Sequence, residues 1–141
     1  MATKLDFADA EWQTLQWAVT DTMAYLSLAD PGFWDVFKEA SGAAKFISGV
    51  KMSSQNPLVR QLADDVKMKR DKTVSGAPAD VAGAVTERVS AAAAIVAGKA
   101  PDDLPAFREF IVGVARATAE AANGLGPTEA AAIAQLEAAL G

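Results

Sequence analysis

Neither histidine nor cysteine occurs anywhere in the 141 residues. Without imidazole no side chain offers the usual general base near neutral pH, and without thiolate the commonest soft nucleophile is gone. The ligand sets that hold zinc, haem and iron–sulfur clusters are missing with them. The zero cysteine count fits a reducing, cytoplasmic setting, because small secreted domains with thin cores lean on disulfides. Long apolar runs are lacking too: the longest, Ala91 to Ala97, falls far short of the ~20 residues that a membrane-spanning helix needs. Met1 to Asp9 carries Lys4, Asp6 and Asp9 with no apolar stretch, so no export signal and no membrane insertion are expected.

An excess of positive charge is also absent. Residues 1–76 hold nine Lys/Arg against ten Asp/Glu and residues 77–141 hold four against eight, within a net charge of −5. Phosphate neutralisation supplies most non-specific affinity for duplexes, so nucleic acid is not an expected partner. The one basic cluster, Lys67, Lys69, Arg70 and Lys72, sits beside Asp64, Asp65 and Asp71, which cancel much of its field. No glycine-rich phosphate loop is present, since Gly32 to Gly42 lacks the Gly-Lys-Ser/Thr ending and no GxGxxG follows a strand. With no nucleophile-and-base pair either, the expectation is a non-enzymatic protein.

What is present is alanine, 32 residues of it, threaded with large apolar side chains at helical period. Alanine has the highest helix propensity and the aromatic and branched residues supply the burial, so an ordered bundle is expected rather than a low-complexity tract. The first helix spans about Asp9 to Ala29, with Asp9 as N-cap and Trp12, Leu15, Val19, Met23 and Leu26 on one face. Asp30 and Pro31 open a second, whose stripe is Phe33, Phe37, Ala40, Ala44 and Ile47 and which stops at Ser48-Gly49. Asn56-Pro57 caps a short third helix burying Leu58, Leu62 and Val66, and residues 71–78 form a mobile loop. The fourth, Pro78 to Gly98, presents Val81, Val85, Val89, Ala92 and Val96 and ends on Gly98 as C-cap. Asp102 and Asp103 open the fifth, with Phe107, Ile111, Val114, Thr118 and Ala121, and the sixth starts at Pro127 and buries Ile133, Leu136 and Leu140. The expected architecture is all-α: one domain over residues 1–141, a bundle of five to six helices. The first, second, fourth and fifth would form its core, with the third and sixth covering it.

All three tryptophans lie in the first quarter of the chain. Trp12, Phe33 and Phe37 fall on core stripes, whereas Trp17 and Trp34 fall off them. That pair reads as packing on a wider buried face, as a partner surface, including one for self-association, or as the mouth of an apolar pocket. Asp21, between Thr20 and Thr22, is expected on an exposed stripe of the first helix. An apolar small-ligand site between helices is a further option, since bundles can hold cavities.

Two turns echo each other: Leu28-Ala29-Asp30-Pro31-Gly32 and Ala121-Ala122-Asn123-Gly124 each follow a long helix and precede another. Together with the C-terminal AANGLGPTEAAAIAQLEAALG, they resemble the helical tellurite-resistance TerB-like family, in which helix pairs are joined by an Ala-Asp-Gly turn and a Pro-Glu helix start. FADAEWQTLQWA followed by LADPGFWDVFKEASGAAKFI is similar to a group of small uncharacterised bacterial helical proteins associated with that family. The resemblance implies an all-helical bacterial cytoplasmic binding or interaction module. It also implies a weak divalent-cation site for Ca2+ or Mg2+ built from Asp30 and Glu39 at the first turn and Asn123 and Glu129 at the second. Read as residues alone, Asp30, Asp35 and Glu39 are a helix cap with two solvated first-turn acids, and Asn123-Gly124 is a helix stop.

Overall fold

The computed structural model describes residues 3–28, 42–66, 78–122 and 127–141. Among these lie six α-helices and no strand: α1 (Asp9–Leu28), α2 (Gly42–Ser53), α3 (Pro57–Asp65), α4 (Pro78–Lys99), α5 (Leu104–Ala122) and α6 (Pro127–Leu140), with 3₁₀ turns at Lys4–Asp6 and Pro101–Asp103. The all-α bundle expected from periodicity is what the chain forms. The echoing turns fall largely outside the described residues, as do Phe33, Phe37 and the expected loop at 71–77; Pro78 already opens α4.

The core is organised around α1. Ala18 through Met23 are six consecutive buried residues. At about 100° per residue they pass through more than a full turn, so the middle of α1 is enclosed on every side. Its main neighbours are α4 and α5, while α6 lies across α4 and α5 and touches α1, and α2 and α3 pack on each other and on α5. The expected stripes fill this core: Leu15, Val19 and Met23 from α1, Val85, Val89 and Val96 from α4, Phe107, Ile111 and Val114 from α5 and Leu136 from α6 have no exposed surface. Buried hydroxyls close on their own helices, Thr22 Oγ donating to the Ala18 carbonyl and Thr118 Oγ to that of Val114, each at 2.7 Å. They therefore ask nothing of neighbouring helices.

Four local expectations change. Asp21 is wholly buried instead of lying on an exposed stripe, because α1 has packed neighbours all round; its Oδ2 lies 3.8 Å from Nη1 of Arg88 on α4. Ala8, not Asp9, precedes the first helical residue of α1, and Glu11 does the capping: the Ala8 N–H donates to Glu11 Oε1 at 2.8 Å. The second stretch does not stop at Ser48-Gly49 but continues as α2 to Ser53, since Val50 prolongs its apolar face. Gly98 lies inside α4, which ends instead at Ala100-Pro101, and the only described glycine with positive φ is Gly141.

Polar joints fix the periphery. Asn56 caps α3 by accepting from the Val59 N–H at 3.1 Å, as its position before Pro57 suggests, and its Nδ2 donates to buried Asp103 at 2.9 Å. Asp65, closing α3, accepts from Trp12 Nε1 at 3.0 Å and pairs with Lys4 at 2.9 Å, tying α3 to the start of α1. Glu11 also pairs with Lys99 at 2.9 Å, locking the first turn of α1 to the last turn of α4.

Two measurements test these joints. Arg88→Met keeps the apolar stem but removes a cation from beside a buried carboxylate, and should lower stability in chemical denaturation by about 3 kcal/mol. Adding Asp21→Leu should recover most of that loss, as apolar replacement of buried pairs generally does; a single-variant loss below about 1 kcal/mol would show that the pair does not hold α1 to α4. The Ala8 N–H, and after it Lys99, hold the Glu11 carboxyl below its ordinary 4.5. Its stabilising contribution is therefore present above that value and lost as pH falls through the lower folded value. Glu11→Gln should accordingly melt below the parent protein at pH 7, with the gap closing as the pH falls from 4.5 downwards.

Candidate functional site

Helical periodicity places Phe46, Val50 and Ser53 on one face of α2, and Glu109, Gly113 and Arg116 on one face of α5. Between these faces opens a cleft of about 640 Å³, within the usual size range of small-molecule sites. Val59 of α3 and Phe110 of α5, both buried, form its apolar floor, and Ser54, Ala106, Arg108 and Val112 complete the wall.

Its shape depends on one missing side chain. Phe46 and Phe110 stack with ring centroids 6.3 Å apart and an interplanar angle of 19°. The Phe46 ring rests against the backbone of α5 at Gly113, where a Cβ would sit 2.9 Å from Cε1 and closer still to Cζ. An alanine there would have to push the ring away. Gly83, on exposed α4 surface, has nothing within 4 Å of a hypothetical Cβ, so the two mid-helix glycines differ in what they are for.

The polar groups of the cleft are few. Ser53 Oγ donates to the Gly49 carbonyl at 2.6 Å, and Ser54 Oγ accepts from the Asn56 N–H at 3.2 Å. Arg108 Nε donates to the Leu140 carbonyl at 3.1 Å, which ties the guanidinium to the end of α6. Glu109 and Arg116 are exposed and make no hydrogen bond or ion pair among the described residues. The arrangement offers apolar surface with a few polar and charged groups beside it.

The residues singled out by sequence are distributed elsewhere. Asp30, Glu39, Asn123 and Trp34 lie outside the described residues, and Glu129 is in the first turn of α6. Among the described residues no group of three or more carboxylates is placed to hold a metal ion. Trp17 is half-buried on α1, and among the described residues no helix is long and apolar enough to cross a membrane. The cleft itself escaped the sequence because ending the second helix at Ser48 removed Val50 and Ser53 from its face. A signal was present in Gly113, a glycine in mid-helix that costs about 1 kcal/mol against alanine and so points to a packing reason.

No family model, curated protein or solved structure matches this chain.

The paired glycines give a direct test of the cleft floor. Gly83→Ala should raise stability by about 0.5–1 kcal/mol, the helix-propensity gain at an unobstructed site. Gly113→Ala has the same propensity gain set against a steric cost of about 1–3 kcal/mol. It should leave stability equal or lower and change the near-ultraviolet circular dichroism or ring resonances of Phe46. A gain at Gly113 matching that at Gly83 would show that the ring does not need the glycine.

Proposed function

We propose that this chain is a non-enzymatic binding module whose site is the cleft between α2 and α5, with a small, largely apolar molecule as its ligand. The observation that carries the reading is the combination of volume and lining: about 640 Å³ open to solvent, floored by Val59 and Phe110 and walled by Phe46, Val50 and Val112. Cofactor-free chemistry has little to work with in a sequence lacking histidine and cysteine, which favours binding over catalysis. The bacterial cytoplasmic setting and the TerB-like kinship belong to the same proposal, on the strength of the two Ala-Asp/Asn turns with the C-terminal run from Ala121 and the N-terminal stretch from Phe7.

Indole, a neutral aromatic probe, should move the amide resonances of Val50, Ser53 and Gly113 along one saturable curve. Ser53→Trp, at an exposed position on the cleft wall, should abolish those shifts while leaving the melting temperature unchanged. Shifts of equal size scattered over helices remote from the cleft would remove it as the site.

A further inference from the structure

We infer that Thr3 to Phe7 form a releasable strap, laid on α3 and latched there by Asp65, and that the strap and the Trp12 indole open together because one carboxylate oxygen holds both. The segment keeps its own shape. The Thr3 N–H donates to Asp6 Oδ2 at 2.8 Å, the Asp6 N–H to the Thr3 carbonyl at 3.0 Å and the Phe7 N–H to the Lys4 carbonyl at 3.2 Å. With these groups paired internally, the segment can leave the bundle as a unit.

Its attachments are few and gather on α3. The Lys4 N–H donates to Gln61 Oε1 at 2.6 Å, and Lys4 Nζ pairs with Asp65 Oδ2 at 2.9 Å. Lys4, Leu5 and Asp6 are exposed; Phe7 alone is buried, with its ring centroid 5.8 Å from that of Trp12. Segments with little buried apolar surface and exposed hydrogen bonds open locally, without unfolding of the whole domain. The residues that follow are held separately, the Ala8 N–H by Glu11 and Glu11 by Lys99, which places the hinge between Phe7 and Ala8.

Asp65 joins this opening to Trp12. The same Oδ2 that pairs with Lys4 accepts from Trp12 Nε1 at 3.0 Å. When the strap lifts, the indole loses the Phe7 ring beside it and the cation that steadies its acceptor. The end of α3 stays docked on α1, since Gln16 Nε2 donates to the Asp65 carbonyl at 2.9 Å independently of the strap. Lys4 is half-exposed, so its pair with Asp65 is the part of the latch that salt weakens.

The test is native-state hydrogen exchange at the Phe7 amide and the Trp12 indole N–H, with the Val89 and Ile111 amides as core references. Lys4→Met removes neither partner of the Trp12–Asp65 hydrogen bond, yet should accelerate both strap and indole exchange about two- to fivefold, the range set by a solvent-exposed ion pair. Core exchange and the melting temperature should not change. Raising NaCl from about 0.05 to 0.5 M should accelerate the same two sites in the parent protein and not in Lys4→Met. Lys51→Met makes the same change in net charge but breaks a pair that joins α2 to α3 at Asp64, and should leave both sites as they were. Faster Phe7 exchange with an unchanged Trp12 indole in Lys4→Met would overturn the shared latch. Equal acceleration in Lys51→Met would reduce the effect to overall charge and overturn it too. Exchange of Phe7 only at the rate of Val89 and Ile111 would show that the segment opens solely with the whole domain, and there would be no strap.

Discussion

A helix buried on all sides has no solvent to satisfy its polar groups, and the middle of α1 is such a helix. Every group it carries inward must be matched inside the bundle or pay the cost of desolvation. Thr22 meets that demand within its own turn, by a bond to the Ala18 carbonyl. Asp21 cannot, and the side of α1 that carries it is met by α4, whose Arg88 brings a half-buried guanidinium to it. The ion pair lies on the same α1–α4 packing as the buried Val85, Val89 and Val96 stripe, so the face of α4 that turns toward α1 carries both the apolar surface and the cation for Asp21. Once α1 and α4 are fixed, α5 fills a second side of α1 and α6 lies across α4 and α5.

The parts of this arrangement that were legible in the sequence are those governed by local rules. Asn56-Pro57 announces α3 because a cap side chain and a proline at the first helical position are both local, and Pro127 announces α6 likewise. The single-face stripes of α4, α5 and α6 were readable because each of those helices buries one broad side. Asp21 was not, since a stripe drawn on one helix supposes one packed face and carries no information about a second or third neighbour. Gly49 and Gly98 misled for a different reason. A glycine lowers helix propensity by about 1 kcal/mol, which continuing apolar residues such as Val50 on the same helix can outweigh. The acids carried over from the TerB-like resemblance were attached to turns, whereas the cleft is bordered by two helix faces.

The distribution of side-chain size explains why the open space lies where it does. Around α1 the buried residues include Ala18 on α1, Ala92 and Ala93 on α4 and Ala115 and Ala119 on α5, and small side chains let helices approach closely enough to leave little unfilled. Between α2 and α5 the contact is instead made by one large ring on a glycine, Phe46 against Gly113. A ring seated that way fills its own stretch of the interface, and Val50 and Ser53 of α2 with Glu109, Val112 and Arg116 of α5 border the open space beside it. A cleft floored by Val59 and Phe110 is the geometric result.

Because α5 borders both regions, the cleft is not mechanically separate from the core. Phe107, Ile111, Val114 and Thr118 form its buried side, and Glu109, Gly113 and Arg116 face the cleft. Phe110 sits between the two: it is buried with the core residues, floors the cleft and stacks on Phe46. A molecule seated on Phe46 and Phe110 therefore presses on the same helix that encloses α1, with Ile111 the next residue along. Interiors packed to crystal-like density transmit such displacements rather than absorbing them. The face of α5 that lines the cleft is thus one residue removed from the face that encloses α1, so the packing demanded by the buried helix also fixes where the cleft's lining stands.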